Sequence, residues 1–199
     1  MVLVASGRRA QTDNLDLDRL GIKTENGFIK VNDNYETNLK NIYAIGDVIG
    51  EPMLAHVASE EGIAVAERIA GHSELEINYN AVPSCIFTFP EIAVVGMSEE
   101  EAKAKGINYR VGKYPFSANG KAMTMGETDG LVKVLADDKG FIIGVHIIGP
   151  HASDLILEGI VLVQNRLTLK DIKGTIHPHP TLGETIAESL LDIENRALH

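Results

Sequence analysis

Two imidazoles, two prolines and a carboxylate follow one another in His177-Pro178-His179-Pro180-Thr181-Leu182-Gly183-Glu184, directly ahead of an amphipathic run. An imidazole takes and gives a proton near neutral pH, and a carboxylate on one ring nitrogen fixes the tautomer that the other presents to a substrate. The spacing predicts a rigid turn and then a helix over about 181–195. Pro180 suits a first helical turn, where its missing N–H costs nothing, and Ile186, Leu190, Ile193 and Leu198 continue at helical spacing. His179 then sits just outside the helix, and Glu184, in its first turn, folds back onto the ring. His179 and Glu184 are the candidate acid/base pair. The same spacing also admits a surface histidine beside a helix start, or a His-x-His metal pair.

A second chemistry-bearing stretch is Asn41-Ile42-Tyr43-Ala44-Ile45-Gly46-Asp47, which reads as a compact apolar strand ending in Gly-Asp. Glycine lets a bulky ligand approach the backbone, and Asp at the carboxyl end of a strand accepts hydrogen bonds from sugar-like hydroxyls. The bland alternative is an Asp in a strand-to-helix turn. After Gly50-Glu51-Pro52, the run Met53-Leu54-Ala55-His56-Val57-Ala58 with Ile63, Val65, Ala66 and Ile69 predicts a helix ending at Gly71. Its N-terminus offers N–H groups and partial positive charge to an anionic ligand edge. His56 reads equally well as a capping or core residue.

The elements that must position these groups fall into two parts. Val2-Leu3-Val4-Ala5 reads as a buried strand running into Gly7-Arg8-Arg9, and residues 11–40 as short strands and loops with turns at Asp13-Asn14, Glu25-Asn26-Gly27 and Asn32-Asp33-Asn34. A boundary is expected near 72–82, where His72-Ser73-Glu74 and Asn78-Tyr79-Asn80 interrupt the pattern. Beyond it come strands at 85–88 and 92–96, a helix from the Ser98-Glu99-Glu100-Glu101 capping box, strands around 107–115, 130–136 and 141–148, and helices near 151–166 and 181–195. This is an α+β pattern, a mainly antiparallel sheet with helices on one face. The run Leu155-Ile156-Leu157 with Ile160-Val161-Leu162-Val163 is more apolar than a helix covered on one side needs. His146 and His151 read as packing or solvated residues, and Cys85 as a small apolar strand residue rather than a redox thiol.

Composition narrows the classes. A chain of 199 residues with 44% hydrophobic content supports a real core, and a net charge of −10 without a Lys/Arg cluster argues against nucleic acid or an anionic membrane as partner. No apolar run reaches spanning length, and Met1 to Ser6 lacks the makings of a signal peptide. With one cysteine no internal disulfide forms, which fits a reducing compartment, and a cytoplasmic location is expected.

The His-Pro-His-Pro-Thr-Leu stretch resembles the C-terminal motif of the flavin-dependent pyridine nucleotide-disulfide oxidoreductases. Within that family the paired His looks most like the dihydrolipoamide dehydrogenase branch; a glutathione reductase motif normally shows one His before Pro-Thr and two acids after it. The resemblance implies that His179 is the acid/base toward a dithiol, serving the opposite subunit's active site, that Glu184 orients it, and that the His-Pro bond is often cis. It further implies that Asp47 binds the ribityl chain of FAD, with Met53, Leu54, Ala55 and His56 at the flavin, and that Gly7 lies near the nicotinamide ribose of NAD. Phe87-Thr88-Phe89-Pro90-Glu91, Val94-Val95-Gly96, Tyr114-Pro115-Phe116-Ser117-Ala118-Asn119-Gly120-Lys121-Ala122 and Gly144 to Gly149 are similar to the family's interface domain. The implied division is 1–10 as the end of the NAD domain, 11–77 as part of the FAD-binding domain and 78–199 as the dimerisation domain. The partners so implied are a second copy and, for the parent enzyme, a lipoamide-bearing acyltransferase complex.

The resemblance covers essentially the whole chain but only the later part of the family. The sequence contains no Gly-x-Gly-x-x-Gly loop and no Cys pair for a redox-active disulfide. The FAD site is therefore expected to be partial and the chain alone inert, and a non-catalytic dimerising module is the competing expectation.

Overall fold

The protein is described by a computed structural model, which covers residues 1–72 and 76–198. The chain divides into two compact units, Met1–Ile77 and Asn78–His199. Ser73 and Glu74, part of the expected boundary, lie outside the described residues.

The first unit contains helix α1 (Leu17–Leu20), strands β1 (Thr24–Glu25) and β2 (Phe28–Ile29), a 3-10 turn (Gly46–Ile49) and helix α2 (Ala55–Ala70). β1 and β2 form an antiparallel hairpin around Asn26-Gly27, the residue pair that a tight two-residue turn with positive φ favours. Tyr35, Ala64 and Val65 are buried together, with Tyr43, Ile45, Ile49 and Ile77 packed around them. α2 stops at Gly71, whose left-handed backbone lets its N–H and that of His72 turn back onto the last carbonyls.

Two expectations for this unit are corrected. Val2-Leu3-Val4-Ala5 is neither a strand nor buried. A buried strand needs neighbours on its hydrogen-bonding edges and cover on its faces, and no described strand of this unit pairs with it. The 41–47 stretch likewise makes only an isolated bridge, Tyr43 to Glu36, before entering the 3-10 turn, so Asp47 sits in a turn as the blander reading had it. Gly46 causes the change: its φ is +71°, a Cβ there would come within 3.0 Å of Ala58 Cβ, and its N–H donates to Glu61 Oε2 at 2.6 Å instead of to a ladder.

The second unit is built on strands β3 (Ser84–Ile86), β4 (Glu91–Gly96), β5 (Tyr109–Pro115), β6 (Leu131–Asp137) and β7 (Ile142–Gly149), with helices α3 (Glu99–Ala104), α4 (Gly120–Met125), α5 (Ala152–Gln164), α6 (Leu169–Ile172) and α7 (Glu184–Asp192). The sheet order is β3-β4-β7-β6-β5, antiparallel throughout. Register sets Ala93 opposite Ile147, Val95 opposite Val145, and Val132 and Val134 opposite Ile147 and Val145. These side chains share one face and are buried beneath Ile156 and Leu162 of α5 and Ile186 and Leu190 of α7. The α+β pattern of the sequence is the fold observed.

α7 approaches β5 so closely that any Cβ on Gly112 would lie 1.9 Å from Ser189 O. Lys113 N–H, beside it, donates to Asp192 Oδ2 of the same helix at 2.8 Å. The Ser98/Glu101 capping box opens α3 as expected. The helix foreseen from 181 starts at Glu184, because the Glu184 side chain takes the Thr181 N–H and makes the preceding residues a turn. α4 and α6 were not foreseen. Among the described residues, no helix is long and apolar enough to cross a membrane.

Candidate functional site

Glu184 is the first residue of α7, a helix pinned to the sheet by Ile186 and Leu190 and by the Ser189 hydroxyl, which donates to Thr185 O at 2.7 Å and lies 3.2 Å from Val132 O. Its two carboxylate oxygens do different things. Oε1 lies 2.8 Å from His179 Nδ1, and Oε2 accepts the Thr181 N–H at 2.8 Å. An ionised carboxylate only accepts, so the proton of the neutral ring belongs on Nδ1 and the lone pair on Nε2. The ring is 75% exposed while the carboxylate is 22% exposed, so a sheltered acid orients an accessible base. The bond between His179 and Pro180 is cis.

His177 is held separately. Its Nε2 lies 2.8 Å from Glu158 Oε1 on α5, and it lines a cleft of about 410 Å³ between α6 and α7. The two histidines thus have different carboxylate partners, and among the described residues no group of three His, Cys, Asp or Glu side chains could hold a metal. Glu184 and Glu188, one turn apart, both face Tyr114. Burial first, then these two charges, push its phenol pKa up, and its hydroxyl donates to Ala118 O at 3.1 Å. Burial also raises the Cys85 thiol, with Glu91 adding to it, which keeps the sulfur protonated and unreactive.

The first unit gathers a second set. Asp47, in the 3-10 turn, is half-exposed and paired with Arg8, Nη1 to Oδ2 at 2.9 Å, and Arg8 Nη2 donates to Met53 O. Leu54 caps α2 in an extended conformation without a side-chain cap, and Ala55 and His56 form the exposed first turn. An accessible carboxylate beside a helix start that no side chain caps fits a ligand with hydroxyls and an anionic edge. Gly7 precedes Arg8 at φ +77° with open space around it. Sequence reasoning gave no role to Arg8, which holds Asp47 and Met53 O. It also missed Asn119, whose buried side chain touches the 177–184 segment.

Residues 82–190 match the dimerisation domain of the pyridine nucleotide-disulphide oxidoreductases, and residues 1–62 match a second model of the same family. The chain belongs to that family. Along its whole length it is 48% identical to the dihydrolipoyl dehydrogenases of Cupriavidus necator and Bacillus subtilis, and it spans 42% of the length of each. Among solved structures, LpdA from Mycobacterium tuberculosis superposes with a TM-score of 0.86 at 32% identity, over 92% of this chain and 40% of that one. The HOCl-induced flavoprotein disulfide reductase RclA from Escherichia coli gives 0.84 at 26% identity, over 94% of this chain and 43% of that one.

Proposed function

We propose that the chain is the C-terminal portion of a dihydrolipoyl dehydrogenase, contributing the proton-exchange residue, part of the flavin site and the dimer interface. The observation that carries this reading is the preformed His179–Glu184 pair, an exposed imidazole whose tautomer a sheltered carboxylate sets. His179 Nε2 takes the proton of a substrate thiol, and the thiolate so formed attacks one sulfur of a disulfide held by the rest of the enzyme. Glu184 stabilises the imidazolium and holds the ring until the proton is returned or released to solvent. In the homodimer His179 serves the partner's active site.

Asp47 would accept hydrogen bonds from the ribityl hydroxyls of FAD, with Met53, Leu54, Ala55 and His56 at the ring edge and Gly7 near the nicotinamide ribose. When bound, FAD supplies the electron path from dithiol to NAD. We assign the parent enzyme to the cytoplasm and to a lipoamide-bearing acyltransferase complex, and divide the chain as 1–10, 11–77 and 78–199.

The chain by itself is a dimerising module without turnover, a reading favoured by its single cysteine. A glutathione reductase origin is disfavoured by the 177/179 histidine pair. His179→Gln in the complete enzyme is expected to lower dithiol turnover by about 10²–10⁴-fold, and unchanged turnover would remove His179 from the reaction.

A further inference from the structure

The two halves of the acid/base pair stand on different supports. Glu184 is fixed by α7, whereas His179 lies on an exposed segment between Pro178 and Pro180. Keeping Nδ1 within reach of Glu184 therefore requires that the segment itself be held. Thr181, two residues on, is where that happens. Its N–H goes to Glu184 Oε2 at the start of α7 and its hydroxyl to Pro178 O at 2.7 Å, both three residues away in sequence, while its carbonyl accepts from Asn119 Nδ2 at 3.0 Å. Of the bonds described at Thr181, the one from Asn119 reaches to the N-cap of α4, 62 residues away in sequence.

Asn119 is built for this. It is 3% exposed, and its own backbone is committed, N–H to Phe116 O and carbonyl to Met123 N–H. Its Oδ1 accepts the Ala122 N–H at 2.9 Å as the N-cap of α4, leaving Nδ2 directed at Thr181. One side chain must accept at one atom and donate from another, which an amide does; an ionised carboxylate has no donor, and a serine hydroxyl carries both functions on a single atom of a shorter arm.

We propose that Asn119 is a positioning residue for the His179–Glu184 pair, tying the 177–181 segment to the start of α4 so that the imidazole keeps one tautomer and one orientation. This deepens the proposed function and rests on it for what the pair is for, although the ring geometry itself is measurable without turnover.

The test uses the 199-residue chain labelled with 15N, in Asn119→Ser and Asn119→Asp forms. Both replacements are good N-caps and keep the bond to Ala122; Asp has no donor for Thr181, and the shorter Ser places its one oxygen at Ala122, out of reach of Thr181. Long-range 1H–15N spectra report the tautomer of each histidine ring, and the His179 signals are identified by their loss in His179→Gln. The unsubstituted chain is expected to show His179 in the Nδ1–H form. In the folded variants its two ring nitrogens should collapse toward an exchange-averaged pattern while the His146 signals stay in place.

An unchanged His179 pattern in either folded variant would overturn the proposal, as would absence of the Nδ1–H form from the unsubstituted chain. Unfolding of both variants would overturn it too, by making Asn119 a residue of folding alone. A positive ring result with no effect of His179→Gln on the complete enzyme would instead discard the proposed chemistry and keep the positioning.

Discussion

His177 and His179 are gripped by different helices: His177 Nε2 lies 2.8 Å from Glu158 of α5, and His179 Nδ1 lies 2.8 Å from Glu184 of α7. The peptide between them spans from one helix of the layer to the other. The position of the outer imidazole is thus referred to both.

Removing the inner grip should loosen the segment at a measurable cost. His177 is 14% exposed, and Glu158→Ala leaves its ring nitrogen half-buried without that acceptor. A loss of about 1–3 kcal/mol is expected in urea unfolding. A midpoint unchanged from the parent chain would show that the 177/158 pair contributes nothing.

Gly112→Ala tests the seating of α7. The added methyl meets Ser189 O and Ile193 N, both backbone atoms, so the helix must shift bodily rather than a side chain rotate. Overpacking of this kind costs about 1–3 kcal/mol, and displacement of Glu184 should accompany it as a changed His179 ring signal. Full retention of stability would mean that α7 tolerates displacement.

The uncovered side of α5 predicts self-association. Leu157 and Val161, one turn apart, are 63% and 46% exposed. Sedimentation at micromolar concentration should show a dimer, and Leu157→Glu with Val161→Glu should yield a folded monomer. A monomeric parent chain, or a dimer indifferent to both charges, would place the interface elsewhere.

His146 predicts an acid sensitivity. Burial, then the nearby Lys133 charge, push its pKa below the ordinary 6.5, against opposing contributions from the Met97 backbone, Glu101 and Glu99. The unfolded chain binds a proton there before the folded one does, so this residue contributes stability above about pH 6.5 that is lost as pH falls toward its folded pKa. His146→Gln should reduce the drop in unfolding midpoint between pH 7.5 and about 5.5 relative to the parent chain. Identical drops would assign the acid sensitivity to other groups.

What was legible in the sequence was local. The Ser98/Glu101 capping box and the reach of Glu184 back to His179 close within three and five residues, so spacing alone specifies them. The positions of β4 to β7 were equally readable, each within about two residues, because short apolar runs bounded by turn residues mark strands. Asn119 escaped because its partner lies 62 residues on, and Arg8 because its partners lie 39 and 45 residues on. Val2 to Ala5 failed for a related reason: an apolar run becomes a strand only where another strand completes its hydrogen bonds. The 41–47 run failed locally, since a single left-handed glycine redirects the chain whatever the hydrophobicity before it.

The bond from Lys113 to Asp192 bears on how the second unit's sheet is kept from extending. An unpaired strand rim is a template for further strands, and β5 is one rim of this sheet. Asp192 occupies one of its outward N–H groups, while the opposite rim, β3, is only three residues long. Both flanks are thereby poor docking ladders for an extended peptide. Losing the α7 clamp would uncover a sticky border, and the first symptom of damage there should be fibrous or amorphous deposition rather than a clean melt.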